Sequence, residues 1–261
     1  MFKIIGMTKL IWKLFKIVLT LLLAFLMYVV IGGVVPFLHH PDVSQTKKEA
    51  VESTQFYSDS VGPDRATIIE DNEEALKMRL RVIKDAQKTL ILSTFDFRSD
   101  DAGKDILAAL LNAADRGVKV EIFADGFNSI IQMENNDYFY ALSSNKNIKI
   151  IIYNQVNILI PWNGLGRMHD KYVIADDSLY ILGGRNTFGY FLGDYAGHKN
   201  YDRDVLVYNT GSKASSIYQI KDYYKKITSQ KCCSVFHCNE SLGEKNSVKK
   251  AEQELKNRYE S

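Results

Sequence analysis

Hydrophobic positions in this chain follow three successive patterns. From residue 17 to 38 the sequence reads IVLTLLLAFLMYVVIGGVVPFL without a charge. As a helix this run of about 22 residues extends roughly 33 Å, the depth of a bilayer core, and it predicts a transmembrane anchor. Residues 39–66 are polar and aperiodic, with Pro41, Ser44, Thr46, Lys47, Lys48 and Pro63, and read as a linker. Regular periodicity then begins. Asp71-x-x-Glu74 has the form of a capping box, and Leu76, Leu80 and Ile83 recur at helical spacing to about Gln87. Residues 89–97 (TLILSTFDF) predict a buried strand. Ile106, Leu107, Leu110, Leu111 and Ala114 predict a helical face ended by Gly117, and residues 118–125 alternate as a strand. A helix near 138–144 leads to a strand at 148–153, so strands and helices alternate as in an α/β sheet with covered faces.

Beyond that point the spacing changes. Strands at 171–176, 179–185 and 204–209 are joined by short connections or one long loop, which predicts antiparallel or mixed pairing. Ala214, Ile217, Ile220, Tyr224 and Ile227 then predict a final amphipathic helix. The pattern delimits a folded domain at 67–230 and a polar tail at 231–261, expected as a solvated or frayed helix. No internal repeat interrupts this order.

Composition and charge refine the picture. With 46% apolar and 25% charged residues over 261 positions, the chain can bury a sizeable core of one or two domains, which excludes disorder and a small disulfide scaffold. The net charge is +2, but six of the 33 Lys and Arg and one of the 31 Asp and Glu fall within residues 1–48. That leaves 27 basic against 30 acidic residues in the remainder, a sign that does not suit a non-specific nucleic-acid binder. Residues 1–16 form a basic N-terminus, with Lys3, Lys9, Lys13 and Lys16 ahead of the apolar run. Only Lys47 and Lys48 follow it, offset by Asp42 and Glu49. The positive-inside bias then puts the N-terminus in the cytoplasm and the domain outside. A cleaved signal peptide is the competing reading, but the run is longer than a signal core and no small-x-small site follows it. Cys232, Cys233 and Cys238 share one polar stretch, where export would permit a disulfide. With His237 they do not reproduce a structural zinc spacing, and no metal ligand set is expected.

The chemistry concentrates in RMHDKYVIADDSLYILGGRN, where His169-x-Lys171 is followed by Asp176 and then by Gly183-Gly184-x-Asn186. At the start of a strand, residues two apart project from one face, so a phosphoryl group there would meet an imidazole and an ammonium together. Gly183 and Gly184 remove side chains where an anionic group approaches the backbone, and Asn186 adds an amide donor. Such donors stabilise charge developing at phosphorus.

This stretch resembles the HKD motif of the phospholipase D superfamily, H-x-K-x4-D followed by a Gly/Ser-rich turn and Asn. The similarity extends over about residues 68–228, with DAGKDILAALLNAADRGVKVEIFAD before the motif and YDRDVLVYN after it, and is to the N-terminal half of bacterial cardiolipin synthases. The resemblance implies an α/β half-domain with a mixed β-sheet flanked by helices. It also implies a two-step, metal-independent exchange at a phosphodiester of glycerophospholipid, without a cofactor. Two HKD motifs face each other there: one histidine attacks phosphorus and the other protonates the leaving alcohol, then activates water or a second alcohol. Carried onto this chain, His169 is nucleophile or acid/base, Lys171 and Asn186 hold phosphate beside Gly183 and Gly184, and Asp176 supports the site. Asp204 stands where relatives place an acidic residue that orients a catalytic histidine.

The chain departs from the two-motif pattern, because His39, His40, His198 and His237 each lack a lysine two residues on. A complete site therefore calls for a second copy or another HKD-bearing chain. Arg167 and Arg185 flank the motif and suit either a lipid headgroup or structural pairing, whereas His198 and Lys199 suit a solvent-facing loop. Ile158, Leu159, Ile160, Pro161 and Trp162 suit either acyl-chain contact or burial beneath the loop. The rival functions are a homodimeric nuclease of the same superfamily, disfavoured by the acidic domain, and a non-catalytic half-domain that binds lipid or a partner.

Overall fold

A computed structural model describes residues 2–38, 42–49, 59–237 and 240–260, and the side chains within them except at 2–8, 47 and 240. His39, His40, Pro41 and Cys238, singled out above, lie outside the described residues. The chain divides into two compact units, Met1–Glu52 with Val156–Gly166, and Ser53–Gln155 with Arg167–Ser261.

In the first unit the apolar run is helical as α1 (Phe2–Val34), continued by a 3-10 turn at Val35–Phe37 where Pro36 ends the α-helical ladder. The segment Lys9–Phe37, 29 residues with a mean hydropathy of 2.7, is long and apolar enough to cross a membrane, and none of its most apolar window is buried. A short helix, α2 (Gln45–Glu49), falls within the expected linker.

The second unit is built on one eight-stranded mixed sheet. Its strands are β1 (Asp64–Ile69), β2 (Thr89–Thr94), β3 (Lys119–Asp125), β4 (Ile148–Tyr153), β5 (Tyr172–Ala175), β6 (Leu179–Gly183), β7 (Asp204–Asn209) and β8 (Cys233–Val235). They lie in the order β1-β7-β6-β5-β2-β3-β4-β8. The three strands separated by helices, β2, β3 and β4, are parallel, and every other pairing is antiparallel, with a short turn joining β5 to β6 and a long loop joining β6 to β7. The helices are α3 (Asn72–Asp85), α4 (Asp101–Asp115), α5 (Gly126–Gln132), α6 (Asp137–Ser144), α7 (Ser216–Thr228), α8 (Glu240–Gly243) and α9 (Asn246–Glu260). Asp71 caps α3 by accepting from the Glu74 amide at 2.7 Å, and Gly117, at φ +97°, follows the end of α4 in the left-handed conformation that glycine allows.

Alternation along the strands divides the core into two layers. Leu90, Leu92, Val120, Ile122, Ile150, Ile152 and Val173 pack under the helical layer that includes α3, α4 and α6. Ile91, Phe123, Ile151, Tyr172 and Ile174 meet Ile217 and Tyr224 of α7 on the other face.

Two expectations are corrected. The final residues of the expected linker form β1, an edge strand paired with β7 from Asp64↔Asn209 to Ile69↔Asp204. Its exposed DRATI run lacks the alternation that a half-buried strand displays. The expected polar tail is also part of the domain: β8 pairs with β4, and α9 buries Val248, Ala251 and Leu255 among the core side chains. Those three positions, spaced by three and four, form a narrow apolar stripe in an otherwise charged stretch.

Candidate active site

One end of the sheet gathers the chemistry. Because β5 runs antiparallel to β2, the residues that open β5 lie beside the C-terminal end of β2, with Tyr172 opposite Ser93. The same antiparallel logic brings the end of β6 and the start of β7 alongside, with Tyr172 opposite Leu182 and Gly183 opposite Asp204. His169 and Lys171 therefore stand next to Phe95, Asp125 and the Gly183–Gly184 turn.

Lys171 is the unusual group. It is buried, with 4% of its surface exposed, yet its ammonium contacts no carboxylate among the described residues and donates to the His169 carbonyl oxygen at 2.8 Å. The Phe95 ring centre lies 5.3 Å from Nζ. Burial pulls the Lys171 pKa below the ordinary lysine value, opposed by the charges of Asp170 and Asp202. A buried cation with donors to spare is costly unless an anion visits it.

The imidazole of His169 meets the Phe95 ring edge-on, with centres 4.5 Å apart, while the residue keeps an exposed side. Its pKa is lowered, first by partial desolvation and then by the charges of Lys171 and Arg167, against opposing pulls from Asp170 and Asp125. The neutral, nucleophilic form is thereby favoured near neutral pH. Asp170, between the two motif residues, accepts from the Tyr223 hydroxyl at 2.7 Å.

Asn186 is held from the side. Its Oδ1 accepts from the Asp96 amide at 3.3 Å, and its amide nitrogen donates to no protein acceptor among the described residues. Gly183 and Gly184 are fixed by close approach rather than by unusual dihedrals: a Cβ on Gly183 would run into the Asp204 carboxylate, and one on Gly184 into Asp202.

Asp176 lies elsewhere. It sits at the opposite end of β5, at φ +52°, and its carboxylate accepts from the amides of Gln87, Lys88 and Thr89 at 2.8–2.9 Å. It ties the β5–β6 turn to the loop before β2, so its support of the site runs through the strand and not through phosphate. Asp204 is also engaged otherwise than by His169 of its own chain. Fully buried, it takes Arg79 at 2.8 Å and Arg185 at 3.2 Å on Oδ2, while Oδ1 has no hydrogen-bond partner among the described residues. Arg185 is thus structural, completed by Asn72 and the carbonyls of Ile69 and Glu70. Lys199 donates to the carbonyls of Gly189 and Gly193, pinning its loop, and His198 remains exposed.

Three contributors escaped sequence reasoning. Asp125 at the end of β3 caps α5, grips Arg167 through both carboxylate oxygens at 2.7–3.0 Å, and accepts from the Met168 amide at 3.0 Å. It fixes the chain immediately before His169. Phe95 packs against His169, Lys171 and Arg167 at once. Asp202 places a carboxylate beside Gly184. The available signal for the first two was their place at the C-terminal ends of parallel strands, where open α/β sheets place their ligands.

Known proteins resemble this chain in sequence and in fold. A family model described as "Cardiolipin synthase, PLD-like domain" matches residues 80–227, more than half of the chain. The chain belongs to this phospholipase D-like family. Cardiolipin synthase B of Salmonella typhi is 32% identical over 142 residues, 54% of this chain, so the chain spans only 34% of that relative. An uncharacterized protein of Helicobacter pylori is 30% identical over 166 residues, 59% of this chain and 32% of its own length. In fold, NucT from Helicobacter pylori aligns with 66% of this chain and 99% of its own at TM-score 0.51 and 21% identity. Phosphatidylserine synthase from Haemophilus influenzae Rd KW20 aligns with 75% of this chain and 43% of its own at TM-score 0.50 and 14% identity.

Proposed function

We propose that this protein is a membrane-anchored phosphatidyltransferase or phosphodiesterase that acts on glycerophospholipid through a phosphohistidine. The observation that carries the reading is Lys171, a buried ammonium that contacts no carboxylate among the described residues, next to an imidazole whose pKa is lowered. Phosphate is the anion that suits this place, since the Lys171 ammonium and the Asn186 amide nitrogen both keep donors for it. Gly183 and Gly184 instead make room for the Asp204 and Asp202 carboxylates, and their amides donate to the carbonyls of Lys171 and Arg203.

In the first step a neutral His169 nitrogen attacks phosphorus. The nitrogen–phosphorus bond forms as the phosphorus–alkoxide bond breaks, and the leaving alcohol takes its proton from a second imidazole. In the second step that imidazole removes a proton from water or an acceptor alcohol, whose oxygen displaces His169. Lys171 and Asn186 hold the non-bridging oxygens throughout. The second imidazole comes from another HKD motif, on a second copy of this chain or on a different polypeptide. Asp204, fully buried and held by Arg79 and Arg185, supports the site from beneath the Gly183–Gly184 turn.

The uncharged run of α1 and the lysines in the N-terminal part of the same helix support an uncleaved anchor with the N-terminus cytoplasmic and the domain outside. The test is turnover of phosphatidylglycerol in vesicles by the full chain, scored as released glycerol or as cardiolipin. Replacing His169 with Ala should abolish both products while circular dichroism stays unchanged, and retained turnover in that variant overturns the reading. Mixing wild-type and His169→Ala copies separates the two partner cases. A shared homodimeric site is poisoned by the variant, whereas a heteromeric one loses activity in proportion to dilution.

A further inference from the structure

The segment Val156–Gly166, which leads into the HKD motif, belongs to the same compact unit as α1. Its sequence, VNILIPWNGLG, holds no charge, and Ile158, Leu159, Trp162 and Leu165 are all exposed. Four large apolar side chains in one short uncharged loop form a patch that a soluble surface rarely offers without a partner.

The loop is tied to one place on α1. The Tyr28 hydroxyl donates to the Leu159 carbonyl at 2.8 Å, and the Tyr28 and Trp162 rings meet edge-on with centres 6.5 Å apart. One helical turn further on, a Cβ at Gly32 would come within 2.6 Å of Pro161 Cγ, so the bare glycine accommodates the buried proline. Tyr28 and Gly32 stand near the C-terminal end of the segment Lys9–Phe37. If that segment spans a bilayer, its end lies at headgroup level, where tyrosine and tryptophan concentrate. The loop also closes its own backbone. The amides of Ile160, Asn163, Gly164 and Gly166 donate to carbonyls within the loop at 2.9–3.1 Å, and the Leu159 amide donates to Asn157 Oδ1 at 2.9 Å. Backbone entering the edge of a bilayer must be satisfied in this internal way.

We propose that Val156–Gly166 is a second lipid-contacting element, which beds Ile158, Leu159, Trp162 and Leu165 into the leaflet at the outer end of α1. The proposal rests on α1 spanning the membrane. It would hold the polypeptide immediately ahead of His169 at the lipid surface, where the phosphodiesters of phospholipid lie.

The chain has two tryptophans, Trp12 and Trp162, which makes the test direct. Full-length Trp12→Phe and Trp162→Phe proteins are reconstituted into phosphatidylethanolamine–phosphatidylglycerol vesicles that contain lipid brominated on the upper acyl carbons. The proposal predicts loss of Trp162 fluorescence to brominated lipid and reduced quenching by acrylamide relative to free tryptophan. If Trp12 is quenched by the lipid and Trp162 is not, the loop contact is overturned while the span stands. If neither is quenched, the span falls and the loop contact with it. Trp162 shielded from acrylamide but untouched by brominated lipid assigns the patch to a protein partner and also overturns the proposal. None of these readouts depends on phosphodiester turnover, so they remain separate from the fate of the catalytic reading.

Discussion

At the scale of single residues, function and stability pull apart at Lys171. Its ammonium is buried, its pKa is lowered, and no carboxylate among the described residues contacts it. Replacing it with Met exchanges a poorly solvated charge for a side chain of similar shape. Lipid turnover should fall by about 10²-fold or more, as when a positioned donor to a developing oxyanion is removed. The thermal midpoint should hold or rise, because the desolvation penalty disappears with the charge. A Lys171→Met protein that loses stability and activity together would mark the lysine as structural. His169 supplies the pH dependence. Its pKa lies below the ordinary 6.5, and the attacking form is neutral, so protonation disables it only at lower pH. The acid limb of kcat/KM should therefore fall below pH 6.5, and a limb above that value contradicts this assignment.

Element by element, the sequence was readable where a pattern repeats and silent where a contact decides. The capping box at Asp71, the faces of α3, α4 and α7, and the change from parallel to antiparallel pairing all followed from periodicity and connection length. Among the HKD positions, His169 and Lys171 stand together at the start of β5, and Asn186 accepts from the Asp96 amide just beyond the end of β2. Asp125 and Phe95 were not legible, because their part depends on β3 and β2 ending beside the start of β5, a fact of register. Asp176 was legible as a motif member but not in its task, which is to hold three backbone amides at the opposite end of β5 from Lys171. The C-terminal segment was misread because its charges outnumber a stripe of three buried side chains. Leu255 is fully buried in that stripe, and Leu255→Ala should destabilise the domain by about 2–5 kcal/mol in urea unfolding. A change within the scatter of surface substitutions would return α9 to the status of a tail.

For the molecule as a whole, the apolar helix supports the proposed lipid chemistry. A protein acting on lipid phosphodiesters would benefit from being held at the surface where they lie, and the acidic balance of residues 49–261 gives no comparable reason to approach nucleic acid. The lysines in the first half of α1, ahead of its uncharged run, set a topological prediction: protease added to intact cells should remove the domain and spare residues 1–16. Protection of the domain, with the outer surface demonstrably accessible, would reverse the orientation.

The central claim is a covalent one, that His169 and its counterpart pass a phosphatidyl group through a nitrogen–phosphorus bond. Phosphatidylglycerol labelled at phosphorus, incubated with the assembled protein and quenched in alkali, tests it directly, because phosphohistidine survives base and is cleaved by acid. The account predicts acid-labile label on the protein, absent when every copy of this chain carries His169→Ala. Full-rate turnover that leaves no label on the protein at any time would contradict it.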